Sequence, residues 1–513
     1  MIHKKYFRKT LLLAIPLVAG LGCKKSFLDV KPQGQLTEIQ ALSDPEAANK
    51  LVAGVYNSLY FGGFDITTVG FLWVIALDVA SDDADKGSTP DDFGPAKEID
   101  NFTYNANNFI FDNIWKGHYT AIARANKAID VLNKSSLETN TKNRLLGEAR
   151  FLRGLFYFNL VRFFGDVPKI LSYPTDPAEV NTDAFQTRAP KAEIYDAILA
   201  DLQFAADNLP MKGDAATQVG RANKGAAQAY LAKVYLYLKN YQKAFDNAAA
   251  VINSGKYSLV PDYALIFREK PVNGVGGNNN SESIFEVNTG INAGENAVSP
   301  LFSNGQGARS RGGWNDLGFG FNDPTADLVN NYEAGDTRRA ATVIFINPTV
   351  AGNSPGTVLW DGFRIPSQDS VENPRYNYKA YHSPIAESPQ LTNNKDTKPK
   401  NIRLMRYAEV LLIYAEAAAN LNNTAEATAK LNMVRARANL APSTGTIANI
   451  WKERRVELAM EQDRFFDLVR TGRAAQVMQA HGKAFVAGKH EVFPIPQVER
   501  DLSGGRLTQN PGY

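Results

Sequence analysis

The sequence predicts a mainly α-helical protein: about four degenerate helix pairs forming a scaffold, interrupted by a loop-rich insert with short strands. Three observations carry this. Between 402 and 438, Leu404, Ala408, Leu411, Ala415 and Ala418 recur at steps of three and four, so they share a helix face; after a break at 420–423, Ala427, Leu431 and Val434 line a second helix. Two antiparallel helices with a short turn are the unit of a tetratricopeptide-type repeat, and the small residues Ala415, Ala417, Ala418 and Ala419 let such helices approach closely. Comparable amphipathic runs fill 113–254, and between 255 and 400 the helical signal fades into segments rich in Gly, Asn, Ser and Pro.

Composition is that of a folded globular protein, with 44% hydrophobic and 21% charged residues. The net charge of +3, part of it from the basic N-terminus, is too small to suggest a nucleic-acid binder, which usually shows a strongly basic patch. A single cysteine, Cys23, excludes an intramolecular disulfide, a cysteine-rich metal site and a CxxC redox pair.

Taken in order, the chain opens with MIHKKYFRKT, basic at Lys4, Lys5, Arg8 and Lys9, followed by the apolar run LLLAIPLVAGLG. That run is too short to span a bilayer and reads as a signal peptide, residues 1–22. Its small-residue end falls directly at Cys23, as in a bacterial lipoprotein signal, so Cys23 is the expected lipidation site and the first mature residue. Residues 23–45 read as a lipidated tether, and 46–513 as a single helical domain with its insert at about 255–400 and its C-terminal helices and tail at 401–513. Asp44 and Pro45 open the first helix as N-cap and N1, with Ala47, Leu51, Val55 and Leu59 on one face.

FLWVIALDVA (71–80) reads as core, and SDDADKGSTPDDFGPAKE (81–98) as an acidic, turn-rich loop. Asp82, Asp83, Asp85, Asp91 and Asp92 lack the spacing of an EF-hand and its closing Glu, so the expectation is a solvated loop, with ligand contact through Asp82, Asp83 and Phe93 as the alternative. A helix over 113–131 carries Trp115, Tyr119, Ile122, Ala125 and Ile129 on one face; a second carries Leu145, Ala149, Leu152, Phe156 and Phe163 and stops at Gly165-Asp166-Val167-Pro168. Further helices follow from Pro190, with Ala227, Tyr230, Leu231, Tyr241, Ala244 and Ala248 in small–large alternation. In the insert, SIFEVNT and TVIFIN are short β-like runs. The last segment, 447–470, reads as one more helix.

No catalytic set emerges. The five histidines are scattered, there is no HExxH, nucleophile elbow or Walker loop, and no metal or cofactor is expected. Glu453, Glu457 and Glu461 fall at i, i+4 and i+8; with Arg454, Arg455 and Arg464 nearby, they read as a structural ion-pair network rather than an acid/base site. Binding chemistry is expected in the aromatic and polar residues of the 61–111 and 271–400 loops. Trp314 stands beside Arg309, Arg311, Asn315 and Asp316, and Trp360 beside Asp361 and Arg364. A flat aromatic face with polar groups at its edge suits a sugar ring, whose apolar face stacks while its hydroxyls are hydrogen-bonded.

Four stretches, GEARFLRGLFYFNLVRFFGDVP, RYAEVLLIYAEAAANL with LNMVRARANL, ERRVELAMEQDRFFDLVRTG, and the tail HEVFPIPQVERDLSGGRLTQNPGY, together with Cys23, resemble the SusD/RagB family of surface lipoproteins. The resemblance implies four tetratricopeptide-like pairs in a right-handed superhelical scaffold with a loop-rich ligand half. It implies a lipid anchor on the outer face of the outer membrane, a SusC-like TonB-dependent transporter as partner, and a lid that captures oligosaccharides without catalysis. Some relatives bind peptides instead, so a peptide-binding lid is the first alternative; a secreted helical-repeat glycosidase is the second. The family's shared motifs are scaffold, and only Cys23 carries over by motif.

Overall fold

The computed structural model describes residues 38–290, 301–350, 354–387 and 398–513; Cys23, the expected signal and most of the expected tether lie outside them. Helix α1 (Pro45–Tyr56) begins as its sequence requires, with the Asp44 carboxylate accepting the Glu46 N–H and Pro45 in the first turn. Helices α2 (Phe109–Lys134) and α3 (Thr139–Phe164) form a long antiparallel hairpin. They are followed by α4 (Lys191–Asn208), α5 (Lys224–Tyr237) and α6 (Tyr241–Asn253), then, beyond the insert, by α7 (Tyr407–Asn420), α8 (Thr424–Arg437) and α9 (Ile447–Leu458). Each helix from α2 to α8 packs on its successor, and α6 meets α7 across the whole insert.

The close approach of α3 and α4 has a local cause. A Cβ on Gly147 would lie 3.1 Å from Leu209, and one on Gly154 would lie 3.3 Å from Leu202. Glycine at these two positions lets α4 and its C-terminal Leu209 sit directly on the α3 backbone. One continuous apolar core runs through the helices from Ala48 to Leu507, and a smaller one, including Leu317, Ile344, Leu359, Ile365 and Tyr376, belongs to the insert.

Strands β1 (Ala84–Gly87), β2 (Ser283–Val287), β3 (Phe321–Pro324), β4 (Val343–Phe345), β5 (Thr357–Val358), β6 (Arg364–Ile365), β7 (Arg375–Asn377) and β8 (Ile402–Arg406) make four two-stranded antiparallel sheets among the described residues: β1–β3, β2–β8, β4–β7 and β5–β6. The expected strand runs at 283 and 343 are β2 and β4. Residues 402–406, read from periodicity as the start of a helix, are instead β8, paired with β2 from Ser283↔Arg406 to Val287↔Ile402; the helix begins at Tyr407. The single helix expected over 447–470 is broken. It ends at Leu458, passes through Met460 and Gln462 at positive φ, and resumes at Arg464–Arg470.

That break serves the charge network. Glu453, Glu457 and Glu461 are all paired, but not with the neighbours their spacing suggested. Glu453 bonds Arg338 (2.5 Å) and Arg435 (2.9 Å); Glu457 bonds Arg338 (3.0 Å), Arg406 (3.0 Å) and Arg437 (2.6 Å); Glu461, past the helix end, bonds Arg406 (2.7 Å) and Lys379 (2.6 Å). Burial alone would raise the Glu457 carboxyl, but the Arg437, Arg406 and Arg338 guanidiniums hold it far below the usual carboxylate range. Arg338 and Lys379 come from the insert, so the network fastens the insert to α8 and α9. The predicted partners face elsewhere: Arg454 bonds Asp467, and Arg455 and Arg464 bond Asp82. No helix among the described residues is long and apolar enough to cross a membrane.

Candidate functional site

The loop after α1 and the first part of the insert meet at an aromatic patch. Phe64 is 49% exposed. Its ring sits edge-on to Phe71 (5.3 Å between centroids) and Phe93 (5.4 Å), and Phe319 lies 6.1 Å away. Phe71 is wholly buried and forms the floor, while Phe93 and Phe319 are half-buried. Phe93 is held at φ 53°, in the left-handed region, at the start of the short helix Gly94–Asn101. Non-glycine residues adopt that conformation at a cost, and here it accompanies the packing of the ring against Phe64, Phe71 and Phe109.

Polar groups stand beside this patch. Arg309 donates to Ser88 Oγ (2.6 Å) and pairs with Asp92, and Ser88 Oγ donates to Asp92 (3.0 Å). The Ser88 N–H donates to the carbonyl of Gly320, next to Phe319 in the chain. All three polar side chains are half-exposed. The Arg309 loop continues to Trp314, whose indole N–H donates to the Ser370 carbonyl (3.0 Å) and whose ring packs on the small insert core. Asn315 is exposed, and Asp316 accepts the Ser310 N–H at 3.4 Å.

Trp360 lies elsewhere on the insert. It is 37% exposed, Arg268 covers one side of its ring at 3.9 Å, and its backbone N–H donates to the Tyr378 hydroxyl (2.9 Å). The neighbouring Asp361 accepts from the Tyr381 hydroxyl at 2.7 Å and from Ser383.

The structure thus joins Arg309 and Phe93 across two segments remote in sequence and leaves Trp314 and Trp360 half-exposed. It removes two candidates. Asp82 and Asp83 are each 1% exposed, and are not in a solvated loop. Asp82 bonds Arg464 (2.7 Å) and Arg455 (2.8 Å), and Asp83 bonds Arg455 (2.8 Å). Their burial and their ion pairs with Arg455 and Arg464 leave neither carboxylate facing solvent to meet a ligand; an acidic composition alone did not reveal the arginines that arrive from the far end of the chain. Sequence reasoning did not single out Phe64, which follows Tyr60-Phe61-Gly62-Gly63 with no periodicity to mark it.

Chemically, the patch offers apolar ring surface beside a donor–acceptor triad. The glutamates that would serve as paired acid and base on α9 are saturated by arginines, which removes them from acid/base chemistry.

Comparison with known proteins is consistent along the chain. The SusD family model matches residues 281–513, and the model described as starch-binding associating with outer membrane matches residues 26–236. SusD-like protein P2 of Formosa agariphila is 29% identical over 99% of this chain and 100% of its own length, and a SusD-like protein of Bacteroides ovatus is 27% identical over 91% and 83%. Among solved structures, a laminarin binding SusD-like protein superposes with TM-score 0.73 at 29% identity, covering 91% of this chain and 99% of that one. Surface glycan-binding protein A from Bacteroides fluxus gives TM-score 0.73 at 25% identity over the same shares, and a SusD homolog from Bacteroides thetaiotaomicron gives 0.77 at 23% identity over 93% and 99%. The chain belongs to the SusD/RagB family, whose glycan-binding proteins are non-catalytic.

Proposed function

We propose that this protein captures oligosaccharides at the cell surface and acts as the lid of a SusC-like TonB-dependent transporter. Its acyl chains on Cys23 anchor it to the outer membrane, facing outward. The signal is 1–22, the tether 23–45, and the functional unit 46–513. In it the helix pairs form a right-handed superhelical scaffold for the ligand-side loops. The outer-membrane association in the matching family description and the surface glycan-binding proteins among the structural relatives support the location.

The observation that carries the capture role is the exposed Phe64 ring, backed by Phe93 and Phe319, beside the Ser88–Asp92–Arg309 triad. A pyranose stacks its axial C–H face on such a ring while its hydroxyls exchange hydrogen bonds with a guanidinium, a carboxylate and a hydroxyl. Trp314, Asn315 and Asp316 follow Arg309 on the same loop, and Trp360 supplies a separate aromatic surface. A laminarin-type glucan is the first substrate to test, because a relative described as laminarin binding covers nearly the full chain at 29% identity.

The test is isothermal titration of the chain from Lys24 onward with laminarin, starch and other oligosaccharides, with a peptide pool alongside. Saturable binding of one glycan class without release of reducing ends supports the proposal. Binding of peptides alone, or hydrolysis, overturns it.

A further inference from the structure

Beneath Trp360 lies a cluster that the capture role does not use. Glu269, His382 and Glu387 bring one carboxylate oxygen each and a ring nitrogen within 4.8 Å of one another. Glu269 comes from the segment before β2, while His382 and Glu387, five residues apart, come from the turn after β7. His382 is 2% exposed, and neither of its ring nitrogens has a hydrogen-bond partner. Its Nε2 lies 3.5 Å from Glu269 Oε2. A buried imidazole with both nitrogens unsatisfied is costly, and native proteins almost always supply a partner.

We propose that Glu269, His382 and Glu387 bind a zinc-type divalent cation that pins these loops together. One imidazole nitrogen and two carboxylate oxygens are a zinc donor set, whereas calcium and magnesium take oxygen donors. Donors about 2.1 Å from a tetrahedral ion stand roughly 3.4 Å apart, which the His382–Glu269 separation already approaches. The two carboxylates neutralise the ion, and water completes the fourth position. The outer contacts suit this role. The Glu387 carboxylate accepts the backbone N–H groups of Glu269 and Ser383, which fixes its orientation. Lys400, 3.6 Å from Glu387 and donating to the Phe267 carbonyl, stands outside the donor set as a partner of the carboxylate. Arg268, adjacent to Glu269, is the residue that covers Trp360, so the ion would also steady the floor under that indole.

The test uses the chain from Lys24 onward, purified without an affinity tag or chelator and then equilibrated with zinc. Elemental analysis is expected to find about one zinc per chain, and competition with a chromophoric chelator to show saturable binding. X-ray absorption should show nitrogen and oxygen ligands only. The thermal midpoint should rise with zinc and fall with EDTA. His382→Ala and Glu387→Gln should weaken zinc binding at least about tenfold, while His481→Ala, which alters a histidine beside Asp85 elsewhere, should not. Absence of saturable zinc binding by the wild-type chain, or equal binding by folded His382→Ala, overturns the proposal. If His382→Ala does not fold, Glu387→Gln and the wild-type stoichiometry decide. Saturation by calcium and not by zinc also overturns it.

Discussion

Arg406 and Glu457 meet with neither side chain exposed: Arg406 Nη1 donates to Glu457 Oε1 at 3.0 Å, and its Nη2 donates to the Glu457 carbonyl at 3.0 Å. Arg406 ends β8 and Glu457 lies in the last turn of α9, so this contact joins sheet to helix. Arg437 and Arg338 bond the same carboxylate. Removing one charge from such a buried set leaves the others uncompensated. Glu457→Gln is therefore expected to cost about 3–5 kcal/mol, measured as a loss of unfolding free energy in denaturant. An effect below about 1 kcal/mol would mean that water reaches the cluster.

Phe64 is the most exposed ring of the aromatic patch. Phe64→Ala should weaken oligosaccharide binding about tenfold or more while leaving the circular dichroism spectrum and the thermal midpoint close to wild type. Unchanged affinity would move the glycan surface away from this patch.

Trp314 and Trp360 should separate in their effects on stability. Trp314 is half-buried on the insert core with its indole N–H satisfied, so Trp314→Ala should lose roughly 2 kcal/mol of stability along with affinity. Trp360→Ala should lose less stability, because 37% of the residue is exposed. Titration of both variants under conditions where each is folded distinguishes lost stacking from lost structure.

His118 makes acid sensitivity predictable. It is buried against Trp73, its Nδ1–H donates to the Ile114 carbonyl (2.8 Å), and Nε2 accepts from Asn159 (3.3 Å). Burial lowers it from 6.5 to about 4. Between those values the unfolded chain binds a proton that the folded chain does not, so stability is fully present above pH 6.5 and is lost as pH falls towards 4. The contribution at stake is about 3 kcal/mol. His118→Gln should flatten the stability profile over this window; an unchanged slope would assign it to other groups.

The helices were legible because a half-buried helix writes its period into the sequence: Trp115, Ile122, Ala125 and Ile129 do lie on the buried side of α2. Short strands write no such mark. IRLMR, continuous with the apolar face of α7, was indistinguishable from a helical turn until β2 supplied its partner. The charge network was legible in kind from the glutamate row, yet its partners were not. Arg338, Lys379 and Arg406 reach Glu453, Glu457 and Glu461 through the fold rather than along a helix. The candidate site was legible where an aromatic and polar residues cluster locally, as at Trp314. It was hidden where it is assembled across segments, as at Asp92 with Arg309; the Asp82–Arg464 pair and the Glu269, His382 and Glu387 cluster, outside that site, were hidden for the same reason.

The pairing of β2 with β8 has a consequence for how this chain can diversify. Ser283 faces Arg406 and Val287 faces Ile402, so residues 288–401 leave and re-enter the scaffold at one clamp. Closure entropy grows only with the logarithm of loop length, so doubling an excursion held at such a clamp costs about 0.6 kcal/mol. Segments of this excursion that carry none of its anchors in the helical core and charge network, such as Phe302, Phe321, Asn322, Arg338 and Lys379, can therefore be lengthened, shortened or exchanged with little penalty to the helices. A single scaffold can in this way present many different surfaces to ligand, and loop grafting between clamp residues is a practical route to altered specificity.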